Sequence, residues 1–589
     1  MHRPPITDRV KNQTRTAAAK FAAYATALCA ALAVCAASVS TAPRPQAGGA
    51  MARISFGSDL SSTPLDGRVY VVFSVKQDSP RMDVGEREVQ SAQVFGADID
   101  GLAPGQPATI PLDAIGYPAR TLADIPPGDY WVQGVLNKYT TFHRSDGHTV
   151  KLPMDEGEGQ HWNSKPGNFF STPVRMHIDA NSFTTIDIHL DNVIPPIRPP
   201  EDTEWVKHVR IQSQVLTKFW GRPMYLGAIV VLPEGWATHP NARYPLLVNH
   251  GHFQADYYRF ATQPPPANGN PAQQEAQQAR YQFYQDWTTG KLPHMILLII
   301  QHANPYYDDS YAVDSANVGP YGEAINGELI PYIEKQFHGI GQGWARAVFG
   351  GSTGGWETLA TQIFYPDDYN GAWGACPDPV DFHFYQLVDI YDDTNAYWTI
   401  GPFGRIAQGE MRFPNGIVQA TTEGSNRWEN ALGSHGRSGE QWGIWQAVFS
   451  PVGDDGYPKP IWDPVTGVIN HDVAEYWRQH YDLTAIMMRD WSTLGPKLVG
   501  KLHVPVGTGD TYYLNDAVRL MQAAMEKTQN PHYVADFDFG IDQPHCYTGP
   551  PGDTTRHGGL TFTRRVLIAA EEHMLKTAPA GADTTSWRY

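Results

Sequence analysis

Two regimes of hydrophobic patterning divide this chain. From Ala52 to about Val193, short runs of β-branched and aromatic residues recur between turn signals such as Pro126-Pro127-Gly128-Asp129. Residues 68–75, 130–136 and 183–190 read as strands, and no helical period competes with them. This pattern predicts an all-β sandwich domain over 52–193. The stiff, extended run Ile194-Pro195-Pro196-Ile197-Arg198-Pro199-Pro200 then makes 194–203 a Pro-rich linker.

From about Glu204 apolar runs alternate with helical periods, the pattern of an α/β domain. Strands are expected at 226–232, 244–249, 295–300, 370–376, 503–507 and 533–539, and helices at 321–337, 356–364 and 561–576. Residues 244–249 and 295–300 are apolar on both faces, as parallel strands covered by helices must be. The expectation is a mostly parallel, doubly wound sheet over 204–578. Residues 384–497 fit neither period and read as an insertion, carrying Trp398, Trp428, Trp442, Trp445, Trp462, Trp477 and Trp491. Such a segment serves as a lid over the strand ends, or its Trp residues form a small core beneath an elaborated loop; the pattern allows both.

Between the apolar run Ala347-Val348-Phe349 and the helical run that starts at Trp356 lies Gly350-Gly351-Ser352-Thr353-Gly354. G-x-S-x-G between a strand and a helix is a nucleophile elbow: the Ser backbone is strained, and Gly350 and Gly354 remove side chains that would clash. With 55 Gly among 589 residues the motif alone is weak. Its context makes Ser352 the candidate nucleophile.

A serine hydroxyl needs a general base, and that base needs a carboxylate to orient it. Such hydrolases order them Ser, then Asp or Glu, then His. Asp510 follows the strand ending at Gly507, and His545 follows the last strand, so both fall past strand C-termini, where an open α/β sheet builds its site. Asp378 and Asp381 are rivals for the acid, and His557 for the base. An oxyanion hole requires two N–H donors. Thr353 supplies one, and His252, in Asn249-His250-Gly251-His252, the other, with Gly251 allowing close backbone approach. As metal ligands His250 and His252 would be an isolated pair with no carboxylate or Cys spacing to complete a site, so no metal is expected.

Composition narrows the class. The net charge of −17 argues against nucleic acid as a partner. Residues 1–42 read as an export signal: Arg3, Arg9, Lys11, Arg15 and Lys20 precede an Ala-rich apolar stretch, so the protein is expected in the periplasm or outside the cell. Its removal would take five positive charges and one negative, leaving about −21. An uncleaved N-terminal anchor is the competing reading. Cys29 and Cys35 lie in the signal, leaving Cys376 and Cys546 as an even pair, either bridged or separately buried.

The His250-Gly251 loop, the Gly350–Gly354 elbow, Asp510 and His545 together make residues 204–577 resemble the esterase D-like and enterochelin esterase-like α/β-hydrolases, a group that includes the mycolyltransferases. A β-sandwich ahead of the hydrolase domain is similar to the enterochelin esterases. The resemblance implies Ser-His-Asp catalysis through an acyl-enzyme, without metal or organic cofactor, on a small-molecule or polymer-linked ester. Acyl transfer to a sugar or lipid hydroxyl is the alternative on the same triad. A non-catalytic glycan-binding protein on a hydrolase scaffold is the alternative from another class. The Trp-rich insertion departs from the family pattern.

Overall fold

The apolar runs after Glu204 assemble into a single sheet that carries the elbow. Its strands are β1 (Val206–Ser213), β2 (Met224–Val231), β3 (Leu246–His250), β4 (Ile296–Gln301), β5 (Arg346–Gly351), β6 (Ala372–Ala375), β7 (Leu502–Gly507) and β8 (Ala535–Gly540). They lie in the order β1-β2-β4-β3-β5-β6-β7-β8. The two antiparallel pairings are β1 with β2 and β2 with β4; every other neighbour pair is parallel. This is a computed structural model, and it describes residues 51–87, 91–179, 185–252, 260–266, 268–549 and 558–589. The proposed export signal and His557 lie outside the described residues.

Helices cover the sheet, which is why its central strands are apolar on both faces. The helix Thr353–Phe364 packs on β5 and β6, and Leu514–Met525 packs on β7. Trp356, Leu359, Ala360 and Ile363 of the first are buried in the main core, each large side chain worth about 1.5–3 kcal/mol. Strand β8 is an edge, and Asp536 and Asp538 on it discourage pairing with another chain. The periodicity reading missed β1, the short helix Gln214–Trp220 and the helix Pro271–Thr288, whose Gln-rich sequence carries little apolar signal.

Among the described residues before 194, the regular elements are mostly strands. A three-stranded sheet (Ile186–Leu190, Ala52–Phe56 and Ala108–Ile110) faces a seven-stranded one built on Leu65–Ser74, Gln93–Leu102 and Gly128–Lys138. Ile54, Phe56, Val69, Val71, Leu136 and Leu190 fill the space between them. The period of two sends Tyr70 and Val72 to the opposite face, where they meet Ala431 and Leu432 of the insertion. Tyr70 also donates to the Leu432 carbonyl at 2.5 Å, and the Arg68 guanidinium to that of Ala431 at 3.0 Å. Residues 194–203 carry no regular structure.

The insertion contains two hairpins (Trp398–Ala407 and Gly409–Thr421) and the helices Thr422–Leu432, Gln441–Phe449, His471–His480 and Leu483–Leu498. Trp442, Trp445, Trp462 and Trp477 are buried around Tyr385, with ring centroids 5.0–5.8 Å from it. These four Trp residues form an aromatic core. Trp398 stays partly exposed beneath Arg405, whose guanidinium lies 3.9 Å from its ring centroid.

Candidate active site

The elbow forms because no side chain fits there. Ser352 has φ 60° and ψ −126°, a conformation that L residues rarely adopt. A Cβ on Gly350 would lie 2.4 Å from the Gly354 carbonyl oxygen, and one on Gly354 would lie 2.2 Å from that of His250. Both obstacles are backbone and cannot give way. Gly354→Ala is therefore expected to destabilise the protein by at least about 1–3 kcal/mol and to displace Ser352; urea unfolding and active-site labelling check both.

Three strand ends then converge. His545 Nε2 lies 2.9 Å from Ser352 Oγ, and its Nδ1 lies 2.8 Å from Asp510 Oδ2. Asp510 is fully buried, and its other oxygen accepts the backbone N–H groups of Tyr512 and Leu514 at 2.9 and 3.3 Å. The His545 loop can close over β7 because position 507 is glycine: a Cβ there would meet the Gln543 carbonyl oxygen at 2.2 Å.

Burial alone would depress the His545 imidazole. The charge and hydrogen bond of Asp510, with Cys546 adding, outweigh it and hold the imidazole well above its ordinary value. Cys546 is drawn down to about 5 by its hydrogen bond to Cys376 and, against burial, by His545. The two cysteines are unbridged thiols, their Sγ atoms and a His545 nitrogen all within 4.8 Å of one another. Since His545 must be neutral to accept the serine proton, kcat/KM is expected to fall as pH drops through a midpoint above 6.5. Cys546→Ser should shift that midpoint downward, which a pH–rate profile reads directly.

The rival acids are engaged elsewhere. Asp378 Oδ2 accepts from the Tyr311 hydroxyl at 2.6 Å and from Thr353 Oγ1 at 3.0 Å. Asp381 caps the short turn at Phe382–Phe384. Thr353 is the first residue of the elbow helix, so its N–H is one of the donors with no partner one turn back. Gly251, with φ 150°, turns the chain out of β3, and His252 follows it. The His252 ring reaches Thr353: Nε2 lies 3.2 Å from Oγ1, while Nδ1 hydrogen-bonds Asp308 at 3.1 Å and lies 3.0 Å from Asp309.

Sequence reasoning missed Asp308, Asp309 and Tyr311. A signal was present: the polar and aromatic run Asn304–Tyr311 directly follows β4, at the edge where such sheets assemble their sites. It missed the floor of the site as well. Glu357 is fully buried between His250 and His302, at 3.8 and 3.7 Å, and burial lifts it well above the carboxylate range. His302 Nδ1 accepts the Ser310 backbone N–H at 3.0 Å, so its Nε2 carries the ring hydrogen and is a donor, not a metal ligand. Ligand atoms of His252, Asp308 and Asp309, and of Cys376, His545 and Cys546, are close enough together to hold an ion.

No family model matches the chain, and no curated protein does. Among solved structures it is similar to a ferulic acid esterase, 15% identical over 63% of this chain and 98% of the other, with a TM-score of 0.34. An S-formylglutathione hydrolase from Agrobacterium tumefaciens is 10% identical over 64% and 97%, with a TM-score of 0.31. A fluorophosphonate-binding serine hydrolase of Staphylococcus aureus is 13% identical over 63% and 98%, with a TM-score of 0.30. Likeness at this level assigns no activity to the chain.

Proposed function

We propose that this protein is a serine hydrolase of carboxylic esters, an α/β-hydrolase domain preceded by a β-sandwich. The observation that carries the reading is His545 set between Ser352 Oγ, at 2.9 Å, and Asp510 Oδ2, at 2.8 Å, with Ser352 held at φ 60° on the elbow. A strained serine hydrogen-bonded to an oriented imidazole is arranged for nucleophilic attack.

Ser352 Oγ attacks the acyl carbonyl as His545 Nε2 takes its proton. The carbonyl oxygen becomes an oxyanion that accepts the N–H groups of Thr353 and His252. His545 then protonates the leaving alkoxide, and the ester C–O bond breaks. Water, deprotonated by the same imidazole, releases the acid and restores Ser352. Asp510 holds Nδ1–H and offsets the charge of the imidazolium. The residues used are all side chains and backbone of this chain. The basic and Ala-rich leader supports export, and no described helix is long and apolar enough to cross a membrane.

The test is fluorophosphonate labelling of the purified protein, run beside hydrolysis of short-chain nitrophenyl esters. Stoichiometric label on Ser352 with ester turnover is expected. Wild-type protein that takes no label and turns over no ester would overturn the reading.

A further inference from the structure

We propose that His252 is a positioning residue for ester cleavage: a fixed imidazolium that locks Thr353 at the head of the elbow helix and adds positive charge beside the oxyanion. The inference rests on the serine-hydrolase reading and extends it, since that reading uses only the backbone N–H of His252.

The hydrogen-bond pattern requires the charge. Thr353 Oγ1 donates its hydrogen to Asp378 Oδ2 at 3.0 Å, so at 3.2 Å it can only accept from His252 Nε2. Nε2 therefore carries a hydrogen. The Tyr311 hydroxyl does not supply an alternative, because it accepts from the Gln441 amide and donates to Asp378. On the other side of the ring, Nδ1 faces oxygens of Asp308 and Asp309 at 3.1 and 3.0 Å. Burial and Asp309 push Asp308 up to about 7, so the pair shares at most one proton between its two carboxyls. It still offers Nδ1 a carboxylate acceptor, to which Nδ1 donates a hydrogen. An imidazole with hydrogens on both nitrogens is a cation.

The surroundings hold it that way. Asp308 and Asp309 are buried, and a buried carboxylate is costly unless a cation accompanies it. Burial works against the charged His252, but the two aspartates outweigh it and keep the ring well above its ordinary value. Burial pushes the neighbouring Glu357, Asp378 and Glu440 up and His161 and His302 down, each toward its neutral form, so the two aspartates provide the balance. Asp309 is itself anchored: its Oδ1 accepts the Tyr311 N–H at 3.1 Å, and its backbone carbonyl accepts the Asn304 amide at 2.6 Å. The edge of the Tyr307 ring confines the imidazole from a third side, with centroids 5.4 Å apart.

The consequence falls on the transition state. A cation fixed next to the residue that follows the nucleophile is costly to no neutral ester but favours a developing negative oxygen, and its carboxylate partners are already in place before substrate arrives. Thr353, tied through Oγ1 to both His252 and Asp378, cannot rotate its N–H away from that oxygen.

The experiment measures ester hydrolysis and phenylboronic acid binding in His252→Gln and Asp309→Asn. Phenylboronic acid adds to a serine oxygen as a tetrahedral anion and so reports the transition-state charge, whereas KM reports the neutral substrate. For His252→Gln, kcat and boronate affinity are expected to fall together, by about 10- to 100-fold, with KM changed less than about threefold. Asp309→Asn, which leaves the ring in place, should move both in the same direction by less. Unchanged boronate affinity in folded His252→Gln overturns the inference, as does a loss confined to KM. If His252→Gln does not fold, an Asp309→Asn variant equal to wild type overturns it. Should wild-type protein bind no phenylboronic acid and take no fluorophosphonate, the hydrolase reading fails and this inference with it. Wild-type binding that His252→Gln matches sinks the inference alone.

Discussion

Replacing Ser352 by alanine is expected to lower kcat for nitrophenyl acetate by about 10⁶-fold and to abolish fluorophosphonate labelling, while leaving the melting temperature within a few degrees. The size follows from what one atom does at this site. Ser352 Oγ is the partner of His545 Nε2 at 2.9 Å, and the adjacent hydroxyl cannot replace it, because Thr353 Oγ1 is turned into the His252–Asp378 pair. The elbow should survive, because its geometry comes from Gly350 and Gly354 and from the Ser352 N–H bonded to the Ala375 carbonyl at 3.0 Å. Residual turnover by oxyanion donors alone would remain above the uncatalysed rate. Activity within tenfold of wild type in a folded Ser352→Ala protein would place the nucleophile elsewhere and remove the basis of the proposed mechanism.

The second large effect is expected from Asp510→Asn, about 10⁴-fold in kcat with little loss of stability. The argument turns on which way an amide must point. In the native protein one Asp510 oxygen accepts the N–H groups of Tyr512 and Leu514, and the other faces His545 Nδ1. An asparagine keeps its carbonyl toward those two backbone donors, since its amine cannot accept from them. The NH₂ group is then forced toward His545, which must answer with a bare Nδ1. The ring hydrogen moves to Nε2 and points at Ser352, so the imidazole can no longer take the serine proton. Fold and burial are preserved and the tautomer is wrong. Steady-state kinetics with thermal melting separates this outcome from simple unfolding, and equal kcat in the variant would show that Asp510 does not orient the base.

These two effects differ in how far they could be seen in the sequence. The elbow is local: strand, G-x-S-x-G and helix are contiguous, and the clashes that exclude side chains involve residues adjacent in the turn or in the neighbouring strand β3. The Ser-Asp-His order was legible for a related reason, because the ends of apolar runs mark where a parallel sheet presents its edge. Choosing Asp510 over Asp378 was a different matter. Both follow strands, and only the folded chain shows Asp378 committed to Tyr311 and Thr353. The aromatic insertion shows the same limit. Trp442, Trp445, Trp462 and Trp477 suit either a binding surface or a core, and what distinguishes the two is burial around Tyr385, which no period reveals.

What the sequence by itself determined was therefore everything set by neighbours along the chain. That covers the period-2 strands before Val193, the alternating elements after Glu204, the strained turn at Ser352 and the residue types able to act as base and acid. Tertiary structure decided which of those residues meet. Ser352 and His545 are 193 positions apart, His252 and Thr353 are 101, and Arg68 reaches Ala431 across 363. Contacts of that span depend on how sheets and loops stack, and the side chains that make them are ordinary polar residues whose pattern carries no period. The charge on His252 is the clearest instance: it arises from hydrogen-bond partners on two separate segments, Asp308–Asp309 and Thr353, and only packing brings them to one ring.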